Sequence, residues 1–245
     1  HIPSQHFQHL PARDGQQSIK EVVRYPSGDT NFFWQVTVST VSNGHFCSAP
    51  GKDCTLGVLQ GDGFSLSFQG ADAPAEAITL AKRGDFFKFR GDWETHRKLL
   101  EPATSVEVLD FCVLTDRELF VHDTSILNLE LGQPGVEAFA KNFGEADDGF
   151  NEFPSIPSKL VLLSLRGIAK AYFPKLQKIA GQMCFCADCL GEGGEEGFKF
   201  REGEALVMEP GNGIAVTAFG EASMVLAIQI LPNLDVDKAS PLSKM

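Results

Sequence analysis

Short runs of Val, Phe, Leu and Thr recur about every ten residues along this chain, each broken by Gly, Pro, Asp or Asn, and long amphipathic helical stretches are scarce. That rhythm restricts the chain to an all-β sandwich or barrel. The stretch NFFWQVTVSTV sets the finer pattern: Trp34, Val36 and Val38 fall on one face, and Gln35, Thr37 and Ser39 on the other. A strand that is polar on one side lines solvent or a wet pocket. Further strands are expected in TLGVLQGDGFSLSF around Leu59, GDFFKF around Phe87 and VEVLDFCVL around Phe111, with Gly61-Asp62-Gly63 as a hairpin turn.

The segment from Phe120 to Pro157 is richer in Gly, Asp, Asn and Pro, and its GVEAFAKNF stretch has the pattern of one short helix, so it reads as a connection. Beyond it, KLVLLSLRGIAKAYF, FKFREGEALVMEPGNGIAVTAF and SMVLAIQIL repeat the strand, Gly turn, strand texture. RGDFFKFRGD from Arg83 and EGEALVMEPGN from Glu202 match in outline, which implies duplication of one small barrel. The expected division is 1–120, a connecting 121–157, and 158–245.

With 245 residues and 43% hydrophobic content, the chain can bury a real core. Its formal charge of −11 and scattered basic residues, densest at His96-Arg97-Lys98, argue against nucleic acid as a partner. No apolar run approaches the roughly 20 residues of a membrane helix, and the N-terminus lacks the pattern of a secretory signal. A cytoplasmic location is expected, with the terminal Ser-Lys-Met a near relative of a peroxisomal address, and a homodimer is an open assembly. The six cysteines show no secreted disulfide framework, and Cys184-x-Cys186-x-x-Cys189 lacks a fourth ligand at zinc spacing.

The histidines are His1, His6, His9, His45, His96 and His122, with no His-x-His pair. Asp92, Glu94 and His96 alternate at period two and would form a carboxylate, carboxylate, imidazole set if one strand carried them, although a solvated edge or loop is the simpler reading. No metal and no cofactor is expected. The acid–base candidates are Glu21, Asp53, Asp92, His96 and Asp110, with Glu21 and Asp110 the two that a catalyst would use. Asp110 stands out because it interrupts the apolar run VEVLDFCVL, where an ionised carboxylate is costly unless it is hydrogen-bonded. Cys112 beside it reads as a packed thiol rather than a nucleophile. Serine-hydrolase, phosphate-loop and dinucleotide signatures are missing from the sequence. Twenty phenylalanines supply core, and Phe33, Phe46 and Phe111 fall beside the polar candidates.

Several blocks in order are similar to the HutD/Ves family. RDGQQSIKEVVRYP from Arg13 resembles that family's Asn-Gly-Gly-Gly-x-Thr-Arg-Glu-Ile opening. FWQVTVSTVSNGHFCSAPGKDCTLGVLQGDGFSL resembles its Trp-Arg-Leu-Ser-Ile-Ala, Gly-Pro-Phe-Ser and Pro-Gly-Ile-Asp-Arg blocks. FRGD from Phe89 and VLDFCVLTDR from Val108 close the match, which spans roughly residues 10 to 120. The resemblance implies a double cupin of two β-barrel or jelly-roll halves with a small-molecule pocket, in a family of binding or regulatory proteins.

Three departures modify that implication. Where the family carries arginine after the tryptophan, arginine after the Pro-Gly-x-Asp aspartate, and asparagine two past the strand aspartate, this chain has Gln35, Cys54 and Cys112. Two bidentate guanidinium forks have become smaller neutral groups. Two functions are therefore expected in competition. One is a metal-independent binder of a ligand less charged than a histidine-pathway acid; the other is a cofactor-free isomerase or cyclase acting on an apolar natural product. The expected ligand-binding residues are Gln35, Thr37, Ser39, Phe46, Asp53, Asp92, His96 and Cys112.

Overall fold

A computed structural model describes residues 1–10, 18–27, 31–46, 48–101, 107–131, 136–138, 159–172, 176–179, 182–185, 197–208 and 214–233. Among them the secondary structure is strand throughout, apart from one 3-10 turn at Ser4–His6, and no helix is long and apolar enough to cross a membrane. The chain divides into two compact units. One is formed mainly by residues 5–123 and the other by 124–229, and among the described residues 1–4 belong with the later unit and 230–233 with the earlier one.

The first unit contains β1 (Gln8–Leu10), β2 (Ile19–Tyr25), β3 (Trp34–Thr40), β4 (Gly44–Phe46), β5 (Lys52–Gln60), β6 (Phe64–Gln69), β7 (Ile78–Leu80), β8 (Phe86–Arg90), β9 (Glu94–Leu99), β10 (Leu109–Asp116) and the start of β11 (Phe120–Leu129). Two antiparallel sheets result: β1-β2-β3-β10-β5-β8 and β4-β9-β6-β7. Cys54, Leu56, Val58, Phe89 and Cys112 of the larger sheet form one buried cluster with Phe64, Leu66, Phe68 and Leu80 of the smaller. The core therefore lies between the sheets.

The Val- and Thr-rich β3 and the apolar β10 favour extended backbone because branched side chains pack on a pleated surface. Their register sets Ser39 opposite Asp110, Thr37 opposite Cys112 and Gln35 opposite Leu114. Trp34, Val36, Val38, Phe111 and Val113 occupy the other face and are also buried. Gly57 is required there: a Cβ on it would lie 2.5 Å from the Phe111 ring, its cross-strand partner. Phe111 thus packs away from the polar candidates rather than beside them.

The expected hairpin at Gly61-Asp62-Gly63 is corrected. The turn does not pair β5 with β6; it carries the chain from the larger sheet into the smaller. Gly61 and Gly63 sit at φ +90° and +88°, and a Cβ on Gly63 would fall 2.0 Å from the Leu80 carbonyl oxygen, so the crossing needs glycine.

The second unit contains the rest of β11, β12 (Val136–Ala138), β13 (Lys159–Arg166), β14 (Ile168–Tyr172), β15 (Leu176–Ile179), β16 (Gln182–Phe185), β17 (Phe198–Arg201), β18 (Ala205–Met208), β19 (Ile214–Ala218) and most of β20 (Ser223–Pro232). Two four-stranded sheets, β11-β20-β13-β18 and β12-β19-β14-β17, share a core of Leu129, Leu160, Leu162, Ala169, Ala171, Phe200, Leu206, Val216, Val225 and Ala227. A separate two-stranded ribbon pairs β15 with β16, and each unit is built on two main sheets. Within the stretch read as a short helix, Val136–Ala138 is instead a strand paired with Ile214–Val216. Cys186, Cys189, the turn at 210–213 and the terminal Ser-Lys-Met lie outside the described residues.

On the face of β5 and β10 opposite the first unit's core, His122 is buried with Nε2 2.7 Å from Thr55 Oγ1 and Nδ1 2.7 Å from Thr115 Oγ1. Either threonine hydroxyl can donate or accept, so the bonds alone do not fix the ring's charge. Burial does: it lowers the imidazole pKa to about 3, with Lys88 adding to the effect. The unfolded chain, with an ordinary histidine near 6.5, binds the proton more tightly. Stability from this group is complete above about pH 6.5 and is lost as pH falls towards 3, by up to roughly 4 to 5 kcal/mol. Denaturant titrations from pH 7 to 4 should show the wild-type unfolding free energy falling more steeply than that of His122→Gln, by about 1.4 kcal/mol per pH unit below 6. Parallel curves would mean that His122 takes up a proton in the folded protein.

Candidate functional site

The face of the larger sheet that looks into the first unit's core is not uniformly apolar. At β5 and β8 it carries Cys54, Leu56, Val58 and Phe89; at β2 and β3 it carries Glu21, Gln35, Thr37 and Ser39, with Asp110 and Cys112 between on β10. The period-two rule places them together, since residues directly opposite across an antiparallel ladder share a face. Glu21 faces Thr37 across the β2–β3 ladder, and a bulge after it brings Arg24 opposite Gln35. Solvent access is graded: Leu56, Val58 and Asp110 are at 0%, whereas Glu21, Gln35 and Ser39 keep 7% and Thr37 keeps 9%.

The polar groups on this face are tied in two sets. Gln35 Nε2 donates to Glu21 Oε2 at 2.6 Å, and Arg24 Nε lies 3.2 Å from the same oxygen. Ser39 Oγ donates to Asp110 Oδ1 at 2.5 Å, and Arg97 Nη1 donates to Asp110 Oδ2 at 2.5 Å. Burial pushes the Asp110 carboxyl above the usual carboxylate range, while the Arg97 charge and the Ser39 hydroxyl pull against that rise. Both Asp110 oxygens are occupied.

Arg97 is the functional candidate that the sequence reading missed. It sits in β9, whose residues ETHRKL look like a solvated edge, yet β9 lies between β4 and β6. Thr95 and Arg97 point inward and are buried, while Glu94, His96 and Lys98 point out. No local signal marks this, because both faces of ETHRKL are polar and only its pairing with β4 and β6 decides which one is covered. Phe46 joins the same interior: its ring packs edge-on against Phe89, and the Arg97 guanidinium carbon sits 5.0 Å from its centroid.

The remaining expected site residues lie elsewhere. Asp53 and Asp92 both bind Arg117, at 2.7 and 2.8 Å, and Asp92 also accepts from the Gly51 N–H at 2.8 Å. The Gly51 N–H and Arg117 hold the Asp92 carboxyl below its usual range. These contacts tie the 49–53 turn to β10 and β8 at the surface rather than lining the interior. His96 meets Glu94 at 3.2 Å and the His45 ring edge-on, on the exposed side of β9. Asp92, Glu94 and His96 therefore do not converge.

Many cupins hold a metal by histidines and a carboxylate. The residues present do not fit one: His45 and His96 face out, and both His122 nitrogens are bonded on the opposite face of the sheet. Among the described residues no group of three His, Cys, Asp or Glu side chains converges.

Cys54 and Cys112 touch on the inner face, Sγ to Sγ 3.7 Å, as free thiols. This brings together two of the three positions at which the chain departs from the HutD/Ves pattern. The third, Gln35, lies one strand away on the same face.

The sequence model of HutD matches residues 4–143, more than half of the chain. The chain belongs to the HutD family. HutD from Pseudomonas fluorescens SBW25, from a structure described as a formate condition, is 17% identical, with 95% of this chain and 97% of that one covered at a TM-score of 0.62. A conserved protein of unknown function, PA5104 from Pseudomonas aeruginosa PAO1, is 20% identical over 95% and 97% at 0.60. Hazelnut vicilin, a bicupin, is 9% identical over 94% and 86% at 0.55. At these identities the likeness concerns the fold, and it makes this HutD-family chain a double cupin. No curated protein matches the sequence.

Burial, with Cys112 beside it, pushes the Cys54 thiol well above its ordinary pKa. Iodoacetamide at pH 8 should therefore leave Cys54 unlabelled in the native HutD-family protein and label it on unfolding, as read by peptide mapping. Labelling of Cys54 in the native state would contradict the packed-thiol geometry.

Proposed function

We propose that this HutD-family chain is a metal-independent small-molecule-binding bicupin, with its ligand held between the two sheets of the first unit. The supporting observation is the inner face of β2, β3 and β10, where Glu21, Gln35, Thr37, Ser39, Asp110 and Cys112 converge and the carboxylates are matched by guanidinium groups. Glu21 is offset by Arg24 at 3.2 Å, and Asp110 by Arg97 at 2.5 Å. With neutral Gln35, Cys54 and Cys112 beside them, the face carries little net charge. A ligand less charged than a histidine-pathway acid suits it, because a bare carboxylate would enter a largely buried interior already holding two.

The cofactor-free isomerase or cyclase is not favoured. Asp110 is fully buried and paired with Arg97 and Ser39, and Glu21 with Gln35 and Arg24, which is the arrangement of carboxylates held in place by partners rather than of a base poised at a substrate. A small-molecule partner and a cytoplasmic setting, with the peroxisomal alternative that Ser-Lys-Met leaves open, belong to the same proposal, supported by the lack of a secretory framework among the cysteines.

Two measurements test it. Native mass spectrometry of the protein, prepared without chelator and equilibrated with a metabolite extract, should show about one small uncharged molecule per chain, and elemental analysis should show no stoichiometric iron, zinc or manganese. Gln35→Arg should weaken that ligand about tenfold or more through crowding. The new guanidinium would have Glu21 as counter-charge, so the fold should survive. Asp92→Asn, in the surface cluster with Arg117, should leave affinity within about twofold. Unchanged affinity in a folded Gln35→Arg protein would move the site away from this face.

A further inference from the structure

The Arg97 side chain is 1% exposed, and only one of its nitrogens, Nη1, has a hydrogen-bond partner. Nε and Nη2 are buried with none. Those two nitrogens lie on one edge of the planar guanidinium and present parallel N–H bonds, the edge that fits one planar acceptor group side-on. Buried donors are nearly always satisfied in folded proteins, so two on one edge of a single side chain call for a partner outside the polypeptide, a bound molecule or the ordered water that such a molecule would displace.

The surroundings specify what that partner is. Among the described residues no side chain accepts from the edge, and the apolar ring of Phe46 packs on the guanidinium. The Arg97 charge is already balanced by Asp110 at 2.5 Å, so a second carboxylate would leave the buried cluster net negative, whereas a neutral carbonyl satisfies the same N–H bonds with the charge unchanged. The neighbouring walls are aromatic, with Phe46, Phe89 and Phe68 packed on one another.

We infer that the Nε/Nη2 edge of Arg97 is the recognition point for an uncharged, amide-type carbonyl compound with an apolar body lying against the Phe46 side of the core. This rests on the interior-binding reading above and narrows it to a ligand class and a residue. Arg97 is a binding residue, with no chemical step assigned to it.

The test uses the full chain labelled with nitrogen-15 and two matched probes, benzamide and benzoate. The Arg97 Nε–H resonance is assigned by its loss in Arg97→Lys. Benzamide should shift that resonance saturably, benzoate should bind about tenfold more weakly or worse, and Arg97→Lys should weaken benzamide by about tenfold or more. Tighter binding of benzoate overturns the uncharged class while leaving the interior site standing. Benzamide binding that shifts resonances of Thr37 or Cys112 but not Arg97 overturns the role of Arg97 and again leaves the interior site. If neither probe shifts any interior resonance at millimolar concentration, the proposal fails, and the wider reading then stands or falls on the mass spectrometry described above. If the Arg97→Lys protein fails to fold, the Nε–H resonance is assigned instead by its nuclear Overhauser contacts to the Phe46 ring, which lies 5.0 Å from the guanidinium carbon, and the two probes still decide the proposal.

Discussion

The ion pair between Arg97 and Asp110 joins the two sheets of the first unit across its interior. Asp110 is on β10, flanked by β3 and β5 in the larger sheet, and Arg97 is on β9, flanked by β4 and β6 in the smaller. Both side chains are essentially without solvent contact. Desolvating two charges is costly, and a hydrophobic pair of similar size could be as stable or more so. What the pair provides is registration. A guanidinium that stays charged at any ordinary pH must meet its carboxylate, so a slip of β9 by one residue would turn Arg97 out and bring His96 or Lys98 in.

From that contact the division of the interior follows. On the β5, β8, β6 and β7 side the two sheets close on Leu56, Val58, Phe64, Leu66, Phe68 and Phe89. On the β2 and β3 side the polar set of Glu21, Gln35, Thr37 and Ser39 extends from Ser39, which bonds the same Asp110. Asp110 thus sits at the border between a dry packed half and a polar half that keeps slight solvent access. Apolar side chains and hydrogen-bonding groups thus meet at Asp110 within one interior.

Much of this was legible in the chain. The period-two alternation of WQVTVST and LDFCVLTD separates Trp34, Val36 and Val38 from Gln35, Thr37 and Ser39, and the structure keeps each set on its own face. The double-cupin architecture was legible from blocks such as FWQVTV and VLDFCVLTDR. Arg97 was not, because a strand read alone does not say which of its two faces is covered. ETHRKL is charged or polar at every position but the last, and only pairing with distant β6 and β4 decides that Thr95 and Arg97 go in. The same non-locality explains the Gly61-Asp62-Gly63 turn, whose glycines signal a sharp reversal without saying whether it stays within one sheet. It also explains why the loss of arginine at Gln35 and Cys54 read as the loss of guanidinium from the interior. The facing sheet supplies one from a position that local sequence gives no reason to compare.

If Arg97 and Asp110 are a mutually dependent buried pair, a double-mutant cycle on unfolding free energy measures that dependence directly. Arg97→Met, Asp110→Asn and the double variant should give a coupling of about 2 kcal/mol or more, with Asp110→Asn alone costing roughly 3 to 5 kcal/mol and the double variant costing less than that. Additive costs, agreeing within about 0.5 kcal/mol, would contradict this dependence and show that the two sheets are held in register without the contact.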